Sequence, residues 1–238
     1  MGMNFSAKWV GAAAAVLVAS AVQAAPVIYF GENQFPGGAV SGDPATARSA
    51  FLGGLVGVGT ETFESQTLGQ TSPLPISFAG SSGSITATIS GSGNIENNTG
   101  AGRFNTSAGG SQWWEVSGVF TIDFSTAVSA FGFFGTDIGD FSGQVTVALT
   151  DTDGLVTNYV IDNTVNGANG SLLFWGFIDS SKAYTSISFG NTASGTDFFG
   201  FDDMVIGDAG QIRMTPEPAS LALVGLSLLG LAGVRRRR

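Results

Sequence analysis

The chain has 238 residues, with 9 Lys and Arg against 18 Asp and Glu, and no His or Cys. Without His and Cys there is no Ser-His-Asp or Cys-His nucleophile, no His/Cys zinc site, no iron–sulfur cluster, no His- or Cys-ligated haem and no disulfide. The acidic excess argues against nucleic acid as a partner, because phosphate binding needs a basic patch, and the length fits one domain with a sizeable core.

Residues 1–24 read as a signal peptide. Lys8 supplies the early positive charge, residues 10–22 form a short Ala/Val run, and Val22-Gln23-Ala24 presents small residues at the positions that signal peptidase inspects. The cut is expected after Ala24, and the signal helix is too short to span a bilayer comfortably. Residues 43–52 are the one good internal helix. Asp43 reads as its N-cap, Pro44 as its first helical residue and Gly53-Gly54 as its stop.

Strands dominate the rest of the body, residues 25–212. Short runs at 74–79 and 84–90 come first. Residues 114–124 then alternate apolar and polar, with Gly118 as a bulge position, and residues 128–134 are apolar enough for a strand buried on both faces. Residues 144–150 and 155–161 form a hairpin across Asp151-Thr152-Asp153-Gly154. A second turn, at Asn166-Gly167 and Asn169-Gly170, leads into 172–178, and strands at 184–189 and 198–206 complete the series. Residues 90–111 read as a long loop. About ten short strands with Gly/Asn/Asp turns predict an antiparallel β-sandwich.

The end of the chain has its own organisation. Pro216-Glu217-Pro218 stays extended, residues 219–234 are 16 positions without a charge, and Arg235, Arg236, Arg237 and Arg238 follow. Sixteen helical residues span roughly 24 Å, slightly less than a ~30 Å hydrocarbon core, and the arginines hold that end on the cytoplasmic side. This transmembrane-helix pattern over 215–238 resembles the PEP-CTERM sorting signal. That family is read by exosortase, a membrane-embedded, cysteine transpeptidase-like enzyme of Gram-negative bacteria. The resemblance implies export, an inner-membrane intermediate, processing near Pro216-Glu217-Pro218, and a final place at the cell surface or in the extracellular matrix. Removing both ends takes away Lys8, the four terminal arginines and Glu217, so residues 25–215 keep 4 basic and 17 acidic residues, a net charge near −13.

The body resembles the lectin-like jelly rolls found ahead of such tails, through Phe131-Gly132-Phe133-Phe134-Gly135-Thr136-Asp137 and Phe199-Gly200-Phe201-Asp202-Asp203-Met204-Val205-Ile206-Gly207. Glu61-Thr62-Phe63-Glu64 is similar to their first strand. The resemblance implies a structural calcium between first and last strands, with Glu64 and Asp203 as ligands and Asp202 or Asp137 near by. Physically, calcium takes six to eight oxygens. Two consecutive aspartates in an apolar strand face opposite ways, so one needs a partner: a metal, or water at a sheet edge.

Trp113, Trp114 and Trp175 are either stacking platforms for sugar rings or core residues. No pair among the 17 body acids stands out as a glycosidase acid and nucleophile. The expected function is therefore that of a non-enzymatic, exosortase-sorted surface or matrix protein whose jelly-roll body contacts extracellular polysaccharide. The alternatives are a structural or adhesive protein without sugar binding, and a secreted hydrolase.

Overall fold

The computed structural model describes residues 25–34, 39–99, 102–116, 118–138, 143–164, 171–192 and 198–213. The expected signal helix, the expected transmembrane helix of the sorting tail and the expected Asn166/Asn169 turn lie outside the described residues. Among those described, no helix is long and apolar enough to cross a membrane.

Period-2 patterning builds two antiparallel sheets. The first runs β1 (Val27–Gln34), β11 (Ser171–Ile178), β8 (Ala130–Thr136), β13 (Phe199–Gly207), β6 (Trp113–Val116) and β5 (Asn94–Glu96), with β2 (Thr60–Glu61) also paired to β13. The second runs β10 (Val156–Val160), β9 (Val145–Asp151), β12 (Tyr184–Asn191), β7 (Phe120–Val128), β4 (Gly83–Gly91) and β3 (Leu74–Gly80). From β6 to β13 the chain switches sheets at every connection but the β9–β10 hairpin, so that β6, β13, β8 and β11 neighbour one another in one sheet and β7, β12, β9 and β10 in the other. That is the strand order of an eight-stranded jelly roll built from two Greek keys.

The inter-sheet core is aromatic. Phe120 stacks on Phe189 at 4.4 Å and Phe133 on Phe201 at 4.7 Å, with Phe131 against both Phe189 and Phe201. A second apolar layer covers the outer face of the first sheet, where α1 (Gly42–Gly53) places Phe51 on Phe134, Phe174, Ile178 and Val205. This cover explains why β8, β11 and β13 are buried on both faces. The helix comes close because Gly132 and Gly176 pair directly across β8 and β11. A Cβ on Gly132 would meet Phe174 at 2.8 Å and Phe51 at 3.0 Å.

Several expectations need correction. The helix begins earlier than read: Ser41 is its N-cap and Asp43 lies within the first turn. The single strand expected over 114–124 is two strands in different sheets, because Gly118 at φ 140° carries the chain across the sandwich. The loop expected over 90–111 contains β5, which pairs with β6 through Ile95↔Trp114. The edge strand β1 carries no alternation of burial that would have marked it.

Candidate functional site

Each of the four acids expected to hold calcium bonds to donors of the chain itself. Glu64 lies beyond β2, in the turn after Phe63, and its Oε1 accepts the backbone N–H groups of Ser111 and Gln112, both at 2.7 Å. Asp202 is fully buried. Its Oδ2 accepts the N–H and hydroxyl of Thr106 at 2.7 and 2.8 Å, and its Oδ1 accepts the N–H of Asp203 at 2.7 Å. Asp203 Oδ1 accepts the Ser107 hydroxyl at 2.6 Å. Asp137 pairs with Arg103 at 3.3 Å, and Arg103 also meets Glu115 at 2.6 Å.

The alternation rule had put consecutive aspartates on opposite faces. A bulge overrides it: register shifts between Asp202 and Val205, and Asp203 sits at φ 50°. Both carboxylates therefore meet the 102–112 loop, on adjacent residues. Burial, reinforced by the charge of Asp203, pushes the Asp202 carboxyl up to about 8, against the hydrogen bonds from Thr106 and from the Asp203 N–H. Arg48 lies 4.0 Å from Asp203.

The set does not fit a shared calcium. Donors of the chain itself occupy Glu64 Oε1, both oxygens of Asp202 and Asp203 Oδ1, whereas a calcium cage needs six to eight oxygens turned to one centre. Among the described residues no group of three or more acidic side chains could hold a metal. The three tryptophans offer no platform either: Trp113, Trp114 and Trp175 are 0, 0 and 3% exposed. Trp114 and Trp175 belong to the inter-sheet core, and Trp113 covers Gly200 on the outer side of the first sheet.

Sequence reading passed over a different place. At one pole of the sandwich, the 151–155 turn and residues 180–183 enclose a cavity of about 360 Å³, together with Ser129 and Ala209. The turn forms as expected. Asp151 Oδ1 accepts the N–H groups of Asp153 and Leu155 at 3.0 and 2.9 Å. Lys182, 31 positions further on, donates to Asp151 Oδ2 at 2.9 Å. The Lys182 ammonium, followed by the Leu155 N–H, holds the Asp151 carboxyl below its usual range, and Asp151 in turn raises Lys182. Both therefore stay charged at neutral pH. Asp179 sets the 180–183 segment by accepting the N–H groups of Ser181 and Lys182 and the hydroxyls of Ser181 and Tyr184. Burial, then the bond to Asp179, pushes the Tyr184 phenol up. The cavity thus presents a fixed charge pair, the acid Asp153, the hydroxyl of Ser180, and the 60%-exposed Leu155 at its rim, while the hydroxyls of Ser129 and Ser181 are spent on the Lys182 carbonyl and Asp179.

Fold and tail together define a jelly-roll body followed by a sorting segment. Residues 215–238 match the PEP-CTERM protein-sorting motif, so the chain carries that signal. No curated protein matches the sequence. Among solved structures, the K2 cleaved adhesin domain of Lys-gingipain is 15% identical, with 63% of this chain and 97% of that chain covered at a TM-score of 0.37. The family 11 carbohydrate-binding module of a cellulosomal cellulase of Clostridium thermocellum is 11% identical, with 65% and 97% covered at 0.31. The module TmCBM61, solved with beta-1,4-galactotriose, is 13% identical, with 61% and 93% covered at 0.29.

Proposed function

We propose that this is an exported, non-catalytic surface or matrix protein of a Gram-negative bacterium. Signal peptidase removes residues 1–24, exosortase acts on the membrane-inserted 215–238 segment, and the body contacts extracellular polysaccharide. The sorting half rests on the match of the whole 215–238 segment. The observation that carries the sugar half is the Asp151–Lys182 cavity. Its volume of about 360 Å³ lies at the lower end of ligand sites, ~300–1,000 Å³. It combines the carboxylate of Asp153, the donors of the Lys182 ammonium not spent on Asp151 and the Ser180 hydroxyl with the apolar Leu155 rim, the chemistry that suits a ring with hydroxyl edges and C–H faces. The non-catalytic reading is supported by the missing His and Cys and by the burial of Asp202 and Asp203 beneath the 102–112 loop rather than in an open cleft.

The test is retention of the processed protein on polysaccharide prepared from the producing cells, wild type against Lys182→Met. Weaker retention of a variant with unchanged thermal stability supports the cavity. Equal retention moves sugar contact elsewhere on the body. No retention of either protein leaves the structural or adhesive reading.

A further inference from the structure

The body holds its own sorting signal on a short leash. Residues 208–213 are stitched to the folded domain along their length. Asp208 accepts the N–H of Ser81 at 2.7 Å, and the Gln211 amide donates to the carbonyls of Gly57 and Ala79 at 2.8 and 3.1 Å. The Gln211 carbonyl accepts from Val56 N–H at 2.9 Å, and Ile212 bridges to Leu55 in antiparallel fashion. Arg213 closes the clasp, its N–H donating to Gly54 and its Nε to Leu55, each at 2.8 Å.

Only Met214 and Thr215 separate this anchored residue from Pro216. Three residue steps at full extension reach about 11 Å, and the six steps to Ala219, where the apolar segment begins, reach about 22 Å. The covalent chain alone therefore keeps the folded body against the bilayer and keeps Pro216-Glu217-Pro218 within about 11 Å of Arg213. A processing enzyme that binds its substrate as an extended strand needs free backbone on both sides of the bond it cuts. Here the sandwich blocks one side and the membrane the other.

We propose that the Gly54/Leu55–Ile212/Arg213 clasp is an autoinhibitory latch: cleavage of the sorting signal requires it to open. This deepens, and rests on, the reading of residues 215–238 as an exosortase substrate. The clasp is a terminal pairing of a few hydrogen bonds, of the kind that opens locally without global unfolding. The apparent affinity of the enzyme then scales with the open fraction. The body begins at the same pole, where Val27 pairs with Ile178 and a Cβ on Gly54 would meet Ile178 at 2.6 Å. The Asp151–Lys182 cavity lies there too, because Ala209 lines it.

The test follows tail cleavage of the full-length chain in its own cells. Leu55→Cys with Ile212→Cys locks the clasp, since facing residues of an antiparallel bridge have Cβ atoms ~4.5–5.5 Å apart, near disulfide range, and the chain has no other cysteine. The oxidised pair is expected to remain uncleaved. Reduction of the same protein restores cleavage, which excludes misfolding as the cause. A Gly/Ser linker of about six residues after Arg213 adds up to ~20 Å of reach and rescues the oxidised protein. Arg213→Ala, with the clasp loosened, is processed faster than wild type. Wild-type-rate cleavage of the locked chain, or a linker without effect on it, overturns the latch. A wild-type chain whose tail is not cleaved overturns instead the sorting reading on which it rests.

Discussion

Asp202 accepts both the backbone N–H and the hydroxyl of Thr106, 96 positions away, at 2.7 and 2.8 Å. This pairing pins the 102–112 loop to the centre of β13 and hides a carboxyl that burial has pushed up to about 8. Its ordinary value is about 3.9. Below that value both the folded and the unfolded state hold the proton, and the stability associated with it is fully present. Between the two values the unfolded chain releases the proton while the folded chain keeps it, so stability falls as pH rises. It is lost as pH passes the folded value. One proton gives a slope of at most about 1.4 kcal/mol per pH unit. Asp202→Asn keeps an acceptor for Thr106 and abolishes the titration. We expect its melting temperature to stay flatter than that of wild type from about pH 4 to pH 8 and to exceed it at the upper end. Calorimetry of both proteins across this range decides the point, and parallel curves would place the pH dependence on another group.

The crossing of α1 over β1 gives a second prediction. A Cβ on Gly31 would fall on the backbone carbonyl of Asp43, which cannot swing away as a side chain does. Gly31→Ala is expected to cost about 1–3 kcal/mol, the usual range for overpacking. At roughly 2–4 °C per kcal/mol for a domain of this size, thermal melting resolves it easily. Gly53→Ala is the matched control, since nothing lies within 4 Å of its added methyl and the position is helical. It should be neutral or slightly stabilising.

Local pattern and distant pairing left different traces in the sequence. Strict alternation marked β4 and β9, and the structure follows it, Ile85, Ala87 and Ile89 inward and Val145, Val147 and Leu149 likewise. Turn chemistry at Asp151-Thr152-Asp153-Gly154 was equally legible, because the side chain of Asp151 caps its own turn. What failed were features decided by distant partners. The bulge at Asp203 reflects pairing of Met204 and Val205 with β2, and no local pattern announces that. Glu64 looked like a strand residue, yet a left-handed Phe63 (φ 58°) ends the strand before it. The Asp151–Lys182 cavity was invisible because its two charged walls are 31 positions apart. The need of the two consecutive aspartates for partners was legible as well, but not the partners themselves. Thr106 lies 96 positions from Asp202, and Arg48 reaches Asp203 only through the fold.

The buried tryptophans allow a spectroscopic check. From residue 25 onward the chain has three tryptophans, Trp113, Trp114 and Trp175, and a protein prepared from that residue fluoresces through these alone. All three are 3% exposed or less. We expect blue-shifted emission, weak quenching by acrylamide, and no change on addition of polysaccharide, even where retention shows binding. Trp114→Ala removes an indole from the inter-sheet core and should cost about 3–5 kcal/mol. A ligand-dependent shift in emission would return a tryptophan to the binding surface.

The last prediction concerns divalent ions, where two sources of stabilisation are separable. A chain of residues 25–215, carrying 4 basic and 17 acidic residues, repels itself, and any divalent cation relieves that repulsion. A built calcium site would add a term that magnesium cannot supply, because magnesium demands a small octahedral shell. The geometry provides the first source and not the second: Glu64 is committed to the N–H groups of Ser111 and Gln112, Asp202 to Thr106, and Asp203 to Ser107. Calcium and magnesium at equal concentration should therefore raise the melting temperature equally, and chelator alone should leave it unchanged. Glu64→Gln should not alter this response. It should weaken the two loop bonds, at a cost of about 1.5–3 kcal/mol for hydrogen bonds to a charged group, and speed amide exchange at Ser111 and Gln112. A rise specific to calcium, lost in Asp203→Asn, would show that the loop rearranges to build the site these acids do not form in the structure described.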